Sequence, residues 1–326
     1  MEYREFGKTG FKISSIGMGT YYNESYKVLS PIFRGSLYEK GSALRKGWQL
    51  IRQHDDLRKN RSLWNGLCDF RHHGGRNEKV AALKRGLELG INLIDTSEIY
   101  ETEDTVSEAI EGQRRDDLFI ATKVTGNHLR YDEVLKAAEK SLKKLRTSYI
   151  DLYMIHLPNL RVPIKETMKA MEKLVKVGKI RYIGVSNFSL EQMKIAQEAL
   201  ANNKLVSNQV EYNLKNRKIE KRLLPYCEKN HVAIMAYSPI AGGTLTNPSK
   251  TLKAVMEEIS RNHCCKTSAQ IALNWLITKS KVIFPIPRAS KPERIDENVE
   301  AIGWSLDNVE IRKLEKASLT FLKHII

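Results

Sequence analysis

Three apolar runs in the middle of the chain each close on an ionisable side chain: INLI on Asp95, LFIAT on Lys123 and YIDLYMI on His156. Tyr100 stands five residues beyond Asp95. A tyrosine hydroxyl titrates at about 10, too high for an efficient proton donor at neutral pH. A neighbouring lysine ammonium favours the phenolate and lowers that value, and an aspartate beside the lysine would hold it charged and in place. A histidine at the same spot could orient a carbonyl oxygen by hydrogen bond or share in the proton transfer. Together the four residues suit protonation of a carbonyl oxygen while a hydride arrives at its carbon. Singly, each has a plainer reading: a salt bridge for Asp95 and Lys123, a packed histidine for His156. Repetition of the same placement on three successive runs favours catalysis.

Side chains cannot supply a hydride, so this chemistry requires a cofactor. Later apolar runs end on Ser186 and Asn187, on Gln209, and on Tyr237 with Ser238. Amides and a hydroxyl suit a carboxamide, and an aromatic face suits a flat ring. Arg288, Ser290, Lys291 and Arg294 gather near a predicted helix start. Cations beside free N–H groups make an anion site suited to phosphate; a solvated basic loop is the plainer reading.

Side chains so far apart in sequence meet only if strand ends are set side by side. From Glu78 onward strand and helix patterns alternate. EKVAALKRGLELG reads as a helix closed by Gly90, and IKETMKAMEKLVKVG as one closed by Gly178. In YDEVLKAAEKSLKKLRT the residues Val134, Leu135, Ala138, Leu142 and Leu145 mark one apolar face. Ser189 with Gln192, Thr267 with Gln270, Ser290 with Glu293 and Asp307 with Glu310 carry the capping-box spacing. Inner strands are predicted near residues 16, 91, 119, 151, 180, 206, 232 and 282. This pattern predicts an α/β fold, a closed (β/α)8 TIM barrel in preference to an open doubly wound sheet. The absence of a glycine fingerprint after the first strand also argues against a dinucleotide fold of the open type. YREFGKTGFKIS predicts an N-terminal β-hairpin.

The chain has 326 residues, 41% hydrophobic and 28% charged, which describes a soluble globular protein, here one barrel domain over 1–326. No apolar run approaches the roughly 20 residues of a bilayer span, and the opening residues lack a secretory segment, so a cytoplasmic location is expected. Cys68, Cys227, Cys264 and Cys265 show no metal-binding spacing, and adjacent Cys264 and Cys265 are expected on a helix face. His72 and His73 read as solvated loop, and no metal site is expected. The net charge is +16, and residues 24–77 carry 11 Lys or Arg against 5 Asp or Glu. Apolar positions in this segment keep neither period for long. It reads as an unusual basic insertion after the first barrel strand: a partner surface, a lid over the cleft, or a stretch without a selected role. Nucleic acid is a poor fit, because aromatic interleaving and recognised modules are absent.

LELGINLIDTSEIY, the lysine of FIATK, DLYMIHLP, GKIRYIGVSNFS, NQVEYN, AYSPIAGG and IPRASKPERIDEN follow one another at suitable intervals. In this the chain resembles the aldo-keto reductase family, from about Glu78 to Glu310, with GMGT and the hairpin matching as well. The resemblance implies a (β/α)8 barrel that reduces aldehydes or ketones to alcohols with NADPH/NADP+, NADH remaining open, and a small carbonyl or sugar-like substrate. It implies Tyr100 as general acid, assisted by Lys123 and Asp95, with His156 orienting the carbonyl. Ser186, Asn187 and Gln209 would hold the nicotinamide amide, and Tyr237 would stack on its ring. Gly19 and Thr20 would lie along the cofactor. Arg288, Ser290, Lys291 and Arg294 would engage the 2′-phosphate, and Glu297 and Asn298 the adenine. Some family members are NADPH-binding, channel-associated subunits, so a regulatory role with a protein partner is the alternative, and self-association is open. One departure stands beside the tyrosine: Glu101 replaces the glycine that often follows it.

Overall fold

The computed structural model describes residues 1–22, 75–159 and 161–319. The chain divides into two units, Met1–Thr20 with Arg76–Ile326, and Tyr21–Gly75. Of the second unit, Tyr21, Tyr22 and Gly75 are described. The basic segment expected over 24–77 therefore lies almost wholly outside the described residues. Its last two members, Arg76 and Asn77, already open a helix.

In the first unit β1 (Tyr3–Glu5) and β2 (Lys12–Ser14) form the expected antiparallel hairpin. Eight short parallel strands follow: β3 (Met18–Gly19), β4 (Leu93–Asp95), β5 (Phe119–Val124), β6 (Ile150–Ile155), β7 (Ile180–Ser186), β8 (Leu205–Glu211), β9 (Ala233–Tyr237) and β10 (Ile283–Pro285). The helices between and after them are α1 (Arg76–Glu88), α2 (Glu103–Ala109), α3 (Tyr131–Leu145), α4 (Ile164–Lys176), α5 (Leu190–Glu198), α6 (Leu223–Asn230), α7 (Lys250–Asn262), α8 (Ser268–Lys279), α9 (Pro292–Val299) and α10 (Asn308–Leu319). Each strand pairs with its neighbours in sequence. The two end strands also meet. Gly17 N donates to Pro285 O and Gly19 N to Pro287 O, both at 2.9 Å, and Ala289 N donates to Gly19 O at 3.0 Å. The sheet is thus curled shut, as the alternation predicts. A Cβ at Gly19 would sit 3.0 Å from Ile286 O, so the seam is closest where no side chain intrudes.

Period-two alternation sorts the strand residues into two cores. Leu93, Phe119, Ala121, Leu152, Met154, Ala233, Met235 and Phe284 fill the barrel interior. Ile94, Ile120, Val124, Tyr153, Ile155, Ile183, Val185, Ile234 and Ile283 point outward and pack with the helices. The hairpin supplies a plug: Phe6 is fully buried, with ring centroids 4.9 Å from Phe119 and 5.0 Å from Phe284. Gly7, at φ 58°, makes that approach feasible, because a Cβ there would stand 2.6 Å from Val206 O.

The capping boxes at Ser189–Gln192 and Thr267–Gln270 form as predicted. Asp307 accepts from Val309 N and Glu310 N, and Glu310 accepts from Asp307 N. The Ser290–Glu293 box does not form. Lys291 is the N-cap of α9 and Pro292 its first residue. A residue before proline is driven to extended backbone, and Lys291 has φ −148° and ψ 143°. The helix therefore starts one residue later than the spacing suggests. Cys264 and Cys265 also depart from expectation. They lie beyond the end of α7, exposed, with φ of 52° and 58°. Two consecutive left-handed residues end the helix, and Cys265 N bonds back to Ser260 O. No helix among the described residues is long and apolar enough to cross a membrane.

Candidate active site

Strand stagger brings the predicted residues to one rim. Asp95 pairs with Ala121, so Lys123 stands one inward position further along. Lys123 in turn pairs with Met154, so His156 stands one inward position further again. Ser186 pairs with Gln209, and Gln209 with Met235, which leaves Tyr237 next along the rim. All are inward positions at the C-terminal end of the barrel, where this architecture puts its chemistry.

Lys123 is fully buried and Asp95 nearly so. The ammonium donates to Asp95 Oδ1 at 2.7 Å, to Asp95 Oδ2 at 2.8 Å and to Thr96 O at 2.8 Å. Three protons meet three acceptors. Gln209 Nε2 adds a bond to Asp95 Oδ1 at 2.7 Å. Burial pushes the Asp95 carboxyl up and the Lys123 ammonium down, and each partner's charge pulls the other back.

Tyr100 stands over this pair. Lys123 Nζ is 4.8 Å from its ring centroid. Its hydroxyl lies 3.3 Å from His156 Nε2, and the two rings meet edge to face at 83°. His156 Nδ1 lies 3.1 Å from Ser97 Oγ. Burial first, and the Lys123 charge second, lower the imidazole pKa to about 3. His156 is therefore a neutral group at ordinary pH.

The loop that carries Tyr100 is held from beneath by hydroxyls. Thr96 Oγ1 and Thr102 Oγ1 are 2.9 Å apart, and Thr102 Oγ1 and Thr20 Oγ1 2.8 Å. Thr20 also donates to Asp95 O at 3.0 Å, so the hydroxyl of this predicted cofactor contact is engaged within the fold. Glu98 accepts from Thr125 N and lies 3.2 Å from His128 Nδ1, tying this loop to the one after β5. Glu101 has φ 57°, which explains why glycine suits the position after the tyrosine.

On the predicted cofactor side, Asn187 has φ 62° and is held by its own side chain. Its Nδ2 donates to His156 O at 3.2 Å and to Ser186 Oγ at 3.0 Å, and its Oδ1 accepts from Tyr237 OH at 3.0 Å. With Gln209 Nε2 donating to Asp95 Oδ1 and, at 3.8 Å, to Met235 Sδ, the amide oxygen is left as its recognition group. Arg288, Ser290, Lys291 and Arg294 follow β10 and enter α9, which also carries Glu297 and Asn298. Arg294 and Lys291 remain well exposed, with carboxylates at 3.5 Å (Glu297) and 3.7 Å (Glu78). Asn298 is buried, and Glu297 accepts from Thr267 Oγ1 at 3.0 Å. Lys79 of α1 joins the cluster: burial and then the Arg288 charge lower its pKa. Sequence reasoning misses Lys79 as a site residue because nothing local links α1 to the far end of the chain. Ser97 is legible as a polar residue in the right loop, but its partner is not.

A family model described as "Aldo/keto reductase family" matches residues 66–319. The chain belongs to the aldo/keto reductase family. It is an NAD(P)-dependent oxidoreductase of that type. Methylglyoxal reductase YeaE of Escherichia coli is 37% identical over 245 residues, 74% of this chain and 85% of that protein. Glyoxal reductase of Bacillus subtilis is 36% identical over 256 residues, 77% and 87% of the two chains. Among solved structures, the thermostable aldo-keto reductase Tm1743 with the inhibitor epalrestat superposes with a TM-score of 0.76 at 34% identity, covering 97% of this chain and 100% of that one. A Klebsiella pneumoniae aldo/keto reductase in complex with NADP and acetate gives 0.73 at 28%, covering 97% and 95%.

Proposed function

We propose that this aldo/keto reductase uses NADPH to reduce small aldehydes and ketones, reversibly toward alcohol oxidation, with short α-oxoaldehydes as the substrates of first choice. The observation that carries the reading is one cluster: the Tyr100 hydroxyl 3.3 Å from His156 Nε2, with the Lys123 ammonium 4.8 Å from its ring centre. The relatives named for methylglyoxal and glyoxal reduction, and the neighbours solved with NADP and NADPH, support the substrate class and the cofactor.

The residues present fit a nicotinamide dinucleotide. The Gln209 oxygen would accept from a carboxamide N–H, and Ser186 and Asn187 would supply a hydroxyl and an amide oxygen. Tyr237 offers an aromatic face. Arg288, Ser290, Lys291 and Arg294, with Lys79 beside Arg288, suit a 2′-phosphate and favour NADPH over NADH. When bound, the reduced nicotinamide supplies hydride to the carbonyl carbon. Tyr100 gives its hydroxyl proton to the carbonyl oxygen, and the phenolate left behind takes a proton back from solvent. Lys123 favours that phenolate through its positive charge, held in place by Asp95 and Thr96 O. His156, neutral, hydrogen-bonds the carbonyl oxygen and aims it at Tyr100.

The test is NADPH oxidation with methylglyoxal, glyoxal, a simple ketone and an aldose. General-acid catalysis contributes about 10²–10⁴-fold, and Tyr100→Phe is expected to lose kcat in that range while NADPH still binds. Near-normal turnover by that variant would end the proposal.

A further inference from the structure

We infer that Ser97 sets the tautomer of His156, and so decides whether that imidazole donates to or accepts from the reacting oxygen. This rests on the reading of His156 as the group that faces the carbonyl.

A neutral imidazole carries one N–H, and the partner of one nitrogen settles which nitrogen holds it. Among the described residues, His156 Nδ1 meets Ser97 Oγ at 3.1 Å and Nε2 meets Tyr100 OH at 3.3 Å. Ser97 is fully buried and has one proton to give, to His156 Nδ1 or to Lys123 O at 3.4 Å. Given to Lys123 O, it obliges Nδ1 to hold the imidazole proton. Nε2 is then a bare lone pair, and it draws the Tyr100 proton away from any substrate. Given to Nδ1, it leaves the imidazole proton on Nε2. Tyr100 O–H and His156 Nε2–H can then both donate to one carbonyl oxygen.

The geometry favours the second arrangement. The serine is nearer to the imidazole, and Lys123 O already receives Glu98 N–H at 3.3 Å. The main chain that carries the serine is fixed on either side, because Thr96 N bonds Ala121 O at 2.8 Å and Tyr100 N bonds Ser97 O at 3.0 Å. Nor does it act as a nucleophile: it is buried, with His156 between it and the Tyr100 hydroxyl. Ser97 is a positioning residue that acts through His156.

Nitrogen-15 NMR of histidine-labelled protein at neutral pH decides the matter, with the His156 signals identified by their loss in His156→Gln. The Nε2–H form is expected in the parent and in Ser97→Thr, and a mixed or Nδ1–H form in Ser97→Ala. With methylglyoxal, Ser97→Ala is expected to lose kcat about tenfold, the loss of one neutral hydrogen bond, with NADPH KM unchanged, and Ser97→Thr to restore it. An Nδ1–H imidazole in the parent overturns the inference without any variant. So does an unchanged tautomer in Ser97→Ala, whatever its kcat. Near-normal turnover by Tyr100→Phe strikes the proposed chemistry instead and leaves the NMR result standing, so the two failures are separable.

Discussion

The ammonium of Lys123 spends its three protons on Asp95 and Thr96 O, so its influence on Tyr100 is that of a charge beside the ring. Removing one member of such a buried pair leaves the other uncompensated, at a cost of about 3–5 kcal/mol. Asp95→Asn is expected to lower stability by that order in urea unfolding. The double variant Asp95→Asn with Lys123→Met is expected to regain most of the stability and none of the turnover. Equal stability of single and double variants would contradict the pairing. The pH behaviour follows from His156. Its pKa is lowered from 6.5 to about 3 in the fold, so between those values the unfolded chain holds a proton that the native chain lacks. Stability is then lost as pH falls from 6.5 toward 3. In His156→Gln that loss is expected to be shallower by up to one proton. Because the imidazole is already neutral, kcat/KM is expected to show no step at pH 6.5. A step there that vanishes in His156→Gln would refute the assignment.

Between β4 and α2 a single loop carries Ser97, Glu98 and Tyr100, and Thr102 fixes it by bridging Thr96 and Thr20. Thr102→Val keeps the shape and removes the bridge. The expected cost is about 1–2 kcal/mol of stability, since buried hydroxyls lose a partner. Tyr100 loses support with it, so kcat should fall more than NADPH KM rises; stopped-flow binding beside steady-state turnover separates the two. Local devices of this kind are partly legible in sequence. The boxes at Ser189–Gln192, Thr267–Gln270 and Asp307–Glu310 depend on residues three apart, and all three form. Ser290–Glu293 has the same spacing and fails because Pro292 forces Lys291 out of helical backbone. The threonine bridge is illegible, because Thr20 and Thr102 are 82 residues apart and no pattern links them.

At the scale of the molecule, barrel and rim were legible because strand alternation and strand-end residues share one period. What was not legible is how the opposite end is tied together. There Asp151, fully buried, pairs with Arg115 at 2.6 Å and Arg181 at 3.2 Å and accepts from Ile120 N at 3.0 Å. Burial raises its carboxyl pKa even against two guanidiniums. The Tyr149 ring lies between those guanidiniums, 4.1 and 3.9 Å from its centre. The two arginines stand 36 and 30 residues from Asp151 in sequence, so only the closed barrel reveals the pairing. Barrels of this class separate chemistry at one end from stability at the other. Asp151→Ala orphans a buried backbone N–H and loosens two partly exposed arginines. The expected loss is about 2–4 kcal/mol, read as a lower urea midpoint, with kcat for methylglyoxal unchanged below the transition. A variant with its midpoint intact and its kcat reduced would mean that the two ends are coupled, and the division of labour along the barrel axis would not hold for this chain.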